Sequence, residues 1–198
     1  MPTAKTKPRT KPAEIRRSEL MAAAEAIFLE KGFAATSVDE IVRKADVAKG
    51  TFYLHFRSKD EILVALRERF VHSYCDALDR ELDAVPMGDW NGRLAAWAAT
   101  GVAGYLDNYR LHDLVFYDFH PPMRHVKQEN PAILRLEKLL SEGKASGVWK
   151  IENTRLLATL LFHALHGAVD DFIIRSDAIE RTEMVLGVQD LFLKSVRV

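Results

Sequence analysis

Residues 36–59, TSVDEIVRKADVAKGTFYLHFRSK, constrain this chain more than any other stretch. Val38, Ile41, Val42 and Ala45 recur at i, i+3, i+4 and i+7, which makes one apolar stripe, while Asp39, Glu40, Arg43 and Lys44 face water. A short turn follows. The next helix carries Phe52 and Phe56 inward at i, i+4 and shows Lys49, Thr51, Tyr53 and His55 on the opposite face. Two short helices, a tight turn and a polar, basic second helix are the parts of a helix-turn-helix, whose second helix enters a major groove. Ser58 then caps a further helix with Asp60 and Glu61 in its first turn, where the helix dipole favours acid.

The same stretch carries a resemblance. Gly32-Phe33, Thr36-Ser37-Val38, Ile41, Ala45, Val47, Lys49-Gly50-Thr51-Phe52-Tyr53, His55-Phe56 and Ser58-Lys59 with Leu63 resemble the DNA-binding domain of TetR-family transcriptional regulators. These eighteen positions agree in type and spacing. Two positions depart from the family pattern. Asp46 stands where the turn usually has glycine, and Ala48 stands where the recognition helix usually begins with serine.

Thr36 or Ser37 caps the first helix of the motif, and either hydroxyl can also donate to a phosphate. Lys49, Gly50 and Thr51 lie in the first turn of the second helix, which a groove-entering helix presents to base edges. Gly50 is costly inside a helix and suggests a close backbone approach to DNA. The resemblance implies that Tyr53 and Lys59 bind phosphate and that Lys49, Thr51, Leu54 and His55 lie nearest the bases. Leu54 suits a thymine methyl.

Net charge is zero over 198 residues, yet its distribution is uneven. Residues 1–60 hold twelve Lys/Arg against eight Asp/Glu, leaving sixteen against twenty for the remainder. A basic front and an acidic back suit approach to a polyanion from one end. Residues 1–13, with four basic residues among three prolines, read as a disordered basic arm. Cys75 is the single cysteine, which excludes an internal disulfide and a cysteine-rich zinc site. No apolar run approaches the ~18 residues that span a bilayer, and no signal peptide is evident, so a soluble, cytoplasmic protein is expected.

The remaining chain reads as helix throughout. The predicted architecture is all-α with about nine helices: the arm (1–13), a three-helix helix-turn-helix domain (14–60) and a helical ligand-binding and dimerisation domain (61–198). The first helix should run over 13–31, ended by Gly32. A long helix from Ser58 to about Asp83 should link the two domains. Helices follow at 90–107 and 109–119, the latter ended by Pro121-Pro122, and another starts at Pro131.

The last two helices, about 153–175 and 178–196, carry apolar residues on more than one stripe, so they need a second partner beyond their own core. In TetR-family proteins such a pair forms a four-helix bundle with a second subunit. The expected interface comprises Leu157, Leu161, Ala164, Ala168, Met184, Val188, Leu191 and Phe192. A two-fold homodimer also fits an inverted-repeat operator, with recognition helices ~34 Å apart in double-stranded DNA.

The middle helices hold Trp97, Tyr105, His112, Phe116, Tyr117 and His120. Aromatics at helical spacing are commonly core, but the resemblance implies a small-molecule effector cavity among these helices, suited to a flat or lipophilic ligand. His163, His166 and Asp170 share a helix face in an H-x2-H-x3-D spacing that zinc or nickel can use. Such pairs are more often buried, and neither metal nor other cofactor is assigned. No Ser/His/Asp spacing, loop carboxylate pair or cofactor fingerprint supports an enzyme. The reading is a sequence-specific DNA-binding regulator, most simply a repressor released from a palindromic operator by ligand, with a sequence-neutral DNA-coating protein as the alternative.

Overall fold

The computed structural model describes residues 12–117, 129–175 and 179–196. Its elements are α1 (Ala13–Lys31), α2 (Val38–Lys44), α3 (Lys49–His55), α4 (Lys59–Ala84), α5 (Trp90–Leu106), α6 (Tyr109–Phe116), α7 (Pro131–Ala145), α8 (Thr154–Ile174) and α9 (Arg181–Val196). The described residues contain helices and no strands, as the 3.6-residue periodicity requires. Residues 1–11 of the basic arm, His120 and Pro121-Pro122 lie outside the described residues, while Pro12 and Ala13, expected in the arm, begin α1.

The chain divides into two compact units, the first built from residues up to Glu68 with Asp113–Phe119, the second from Arg69–His112 and His120–Val198. Helix α4 is continuous through the first division.

In the first unit, α1 buries Leu20, Ala24, Ile27 and Phe28 at helical spacing and stops at Gly32, whose φ of 85° suits a residue without a Cβ. Ser37 starts α2 with a capping box, its hydroxyl accepting from the Glu40 N–H while the Glu40 carboxylate accepts from the Ser37 N–H. Lys31 pairs with the same carboxylate, and these hydrogen bonds, the Lys31 one foremost, hold the Glu40 pKa down at about 2. Asp46 makes the α2–α3 turn at φ 51°, the left-handed conformation that its family position usually leaves to glycine. Phe52 and Phe56 are fully buried with ring centroids 5.9 Å apart, and each contributes roughly 2–3 kcal/mol of burial. These phenylalanines fix which face of α3 points outward.

The second unit is a helical bundle whose core includes Leu78 of α4, Trp97 and Val102 of α5, Leu136 of α7, Leu165 of α8 and Phe192 of α9. Helix α5 lies against both α8 and α9, and α7 lies against α8. Trp149 packs on Gly143, where an added Cβ would stand 2.2 Å from the indole, and its N–H donates to Asn91 at 3.1 Å. Helix α8 is long and apolar enough, by length and composition, to cross a membrane, at mean hydropathy 1.4. That corrects the expectation that no run reaches this length. Here its Leu161, Phe162, Leu165 and Val169 lie in the bundle core, which accounts for its apolar character.

Candidate nucleic-acid interface and effector region

Helix α3 presents a coherent outer face. Leu54 is 82% exposed and Tyr53 53%, an unusual display for large apolar and aromatic side chains on a short helix. Lys49 and Gly50 are exposed beside them, and Thr51 and His55 are half-buried. The backbone at Gly50 is open, since a Cβ added there would meet none of the described residues within 4 Å. Internal packing therefore gives no reason for glycine. Ala48 starts α3 with no side-chain cap, so the first-turn N–H groups lack the hydroxyl partner that serine would supply. Lys49 is drawn to Asp39 of α2 at 2.7 Å, and that hydrogen bond raises its pKa.

Two of the expected DNA contacts have internal roles. Thr36 is buried, at 3% exposure, and its hydroxyl donates to the Gly32 carbonyl at 2.8 Å. It fastens the α1–α2 turn, and Ser37 is the cap. The Lys59 ammonium donates to the carbonyl oxygens of Phe33, Ala34 and Thr36 at 2.8, 3.2 and 2.9 Å. An ammonium has three N–H donors, so all are spent on this turn. Arg17 of α1 lies 5.0 Å from the Phe56 ring centroid as a cation–π partner.

In the second unit, three of the expected effector residues are interior. Trp97 is fully buried and stacks on Phe192 with centroids 5.8 Å apart. Its indole N–H is buried without a hydrogen-bond partner among the described residues. Tyr105 lies 4.0 Å from the His112 ring and 4.9 Å from the His166 ring, and its hydroxyl donates to Asp170. The His166 Nδ1 lies 3.0 Å from the Phe162 carbonyl, and burial pushes its pKa down to about 4, with His112 adding to the fall. Neutral His166 is therefore held as the Nδ1–H tautomer. Phe116 and Tyr117 belong to the first unit, where the Arg67 guanidinium sits 4.8 Å from the Phe116 ring.

Asp170 is thus engaged by Tyr105, and His163 points outward from α8. Among the described residues no cluster of three or more His, Cys, Asp or Glu is placed to hold a metal.

The expected interface residues separate into two faces. Leu161, Met184, Val188 and Phe192 are buried in the core of their own unit, and Leu157 and Ala168 pack against it. Ala164 and Leu191 are exposed. The outward apolar stripe of α8 is Leu156, Leu160, Ala164 and Gly167, and α9 adds Leu186, Gly187 and Leu191. Leu156, Leu160 and Leu186 are each more than half exposed. Two of the expected interface residues, Ala164 and Leu191, therefore lie on the outward apolar stripe, and the other six face the core of their own unit. The cause is that α8 is apolar on two adjacent stripes, and sequence cannot assign which one turns inward.

Residues 20–66 match the family described as bacterial regulatory proteins, tetR family. The Escherichia coli K12 transcriptional repressor NemR is 35% identical over 81 residues, which are 41% of this chain and 40% of that protein. The chain thus matches less than half the length of that relative. Over nearly its whole length it shares a fold with a Rhodococcus sp. RHA1 protein of unknown function, at TM-score 0.80 and 22% identity, covering 97% of this chain and 99% of the other. The FadR regulator of Bacillus subtilis, solved with stearoyl-CoA, aligns at TM-score 0.70 and 19% identity over 91% of this chain and 99% of its own. Residues 20–66 are thus similar to the DNA-binding part of the tetR family of bacterial regulatory proteins, and over the whole chain the helical fold is shared with solved structures.

Proposed function

We propose that this chain is a homodimeric, cytoplasmic repressor that binds an inverted-repeat operator and leaves it when a small lipophilic or aromatic effector binds. The observation that carries the reading is the outward display of Lys49, Gly50, Tyr53 and Leu54 on α3. Exposing Leu54 and Tyr53 to water has no benefit for the isolated fold, whereas a thymine methyl and a backbone phosphate suit them. The apolar stripe on α8 and α9 supports the dimer, because a large exposed apolar face marks an interaction site.

The effector reading rests on the aromatic cluster of Trp97, Tyr105, His112 and His166, with its orphan indole N–H. The stearoyl-CoA bound by a protein of like fold supports a lipophilic class. Effector binding to the second unit would lower operator affinity by linkage, with the continuous α4 as the connection.

Selection of bound duplexes from a random pool at about 150 mM salt tests the reading, because non-specific binding is weakened there. Recovery of an inverted repeat is the expected result. A pool that stays unenriched would overturn specific regulation in favour of sequence-neutral DNA coating.

A further inference from the structure

The second unit holds a cleft of about 460 Å³ that the aromatic cluster does not use. The end of α4 supplies Asp79 and Asp83 to its wall, α5 supplies Arg93, and α7 supplies Arg135, Lys138 and Glu142. Three cations and three carboxylates therefore face one small space. Their mutual pairing is incomplete, and what is left over has a definite pattern.

Arg135 is spent, since its Nε lies 2.9 Å from both carboxylate oxygens of Asp79. Lys138 reaches Glu142 only at 3.9 Å, with 77% of its side chain exposed. Arg93 is the unusual member. It is 92% buried, yet among the described residues no carboxylate pairs with it. Its Nη1 donates to the Leu82 and Val85 carbonyls at 2.8 and 3.3 Å, and its Nε has no partner among the described residues. A buried guanidinium answered only by two carbonyls remains electrostatically under-compensated. Asp83, on the exposed last turn of α4, makes no hydrogen bond or ion pair among the described residues. The leftover groups are thus one cation and one anion on the walls of one cleft.

We propose that this cleft binds a small zwitterion carrying a carboxylate and an ammonium group. The carboxylate would approach Arg93 and Lys138, and the ammonium Asp83. A simple anion meets the uncompensated guanidinium but also three carboxylates, and a simple cation meets the reverse. Only a ligand with both charges matches both leftovers. Leu82 and Leu139 line the same space and suit a short methylene chain between the two charges. The volume lies in the ~300–1,000 Å³ range of small-molecule sites. This site is separate from the aromatic cluster and does not depend on the effector assigned to it.

The test is calorimetric titration of the full-length protein with glycine, 4-aminobutyrate and 6-aminohexanoate, each beside its carboxylate-only and amine-only counterpart. At least one zwitterion should bind about tenfold more tightly than both of its counterparts. Asp83→Asn should abolish its advantage over the carboxylate, and Arg93→Met its advantage over the amine. Arg93 also closes the end of α4, so Arg93→Met can fail to fold. Asp83→Asn alters an exposed side chain and carries the test alone in that case. The proposal is overturned if no zwitterion outbinds its single-charge counterparts, or if Asp83→Asn leaves the preference intact.

Discussion

The ammonium of Lys59 donates to the carbonyl oxygen of Phe33 at 2.8 Å and stands 4.4 Å from the centroid of the same residue's ring. One side chain at the start of α4 therefore holds the α1–α2 turn by a charged hydrogen bond and a cation–π contact together. The carbonyls of Ala34 and Thr36 complete its coordination. Lys59→Met should destabilise the first unit by about 1–3 kcal/mol, the usual cost of losing hydrogen bonds to a charged group. Thermal unfolding measures the loss. If Lys59 instead acts mainly on phosphate, the variant will melt like the wild type and show a shallower salt dependence of DNA binding.

Gly50 separates stability from recognition. Its backbone is helical and open, so Gly50→Ala should stabilise α3 by up to about 1 kcal/mol through helix propensity. The same methyl group stands on the exposed face of α3 and should weaken operator binding about tenfold or more. A variant that melts higher and binds DNA as well as the wild type would remove the reason given for glycine here.

Leu160 and Leu161 are adjacent in sequence and opposite in environment, 58% and 4% exposed. Leu160→Glu should dissociate the proposed dimer while the monomer keeps its helical content. Leu161→Ala should cost about 2–5 kcal/mol of folding free energy, as a core truncation does. Sedimentation at matched concentrations, with circular dichroism alongside, distinguishes the two outcomes. A Leu160→Glu protein that stays dimeric would move the interface to another face.

His166 sets a pH dependence. Its pKa falls from the ordinary 6.5 to about 4 in the fold, chiefly through burial. Above pH 6.5 the imidazole is neutral in both folded and unfolded chains and contributes no slope. Between 6.5 and 4 the unfolded chain takes up a proton that the folded chain refuses, so stability falls as pH falls, by up to about 3 kcal/mol. Below 4 the slope levels off. His166→Phe should flatten this window in chemical denaturation, and imidazole NMR should place the midpoint well under 6. An unchanged slope in the variant would assign the proton uptake to another group.

The local chemistry of the first unit was legible in the sequence because its signals are short-range. Gly32 stops α1, Ser37 and Glu40 begin α2, and the Phe52/Phe56 spacing orients α3, all within a few residues of chain. Capping and i, i+4 burial are local interactions, and local interactions are written in local sequence. The outward direction of Tyr53 and Leu54 follows from the same spacing.

The positions that needed the tertiary structure are those with distant partners. Lys59 finds its three carbonyls 23 to 26 residues away, so a phosphate contact and an internal brace look alike in sequence. Tyr105 meets Asp170 across 65 residues, and Arg93 faces α7 across the charged cleft, neither of which any periodicity predicts. On α8, sequence determined that two apolar stripes exist; packing against α5, α7 and α9 decided that Leu161 and Leu165 turn inward and Leu156 and Leu160 outward. Amphipathicity fixes how much of a helix must be covered, but which neighbour covers each stripe is a property of the assembled bundle.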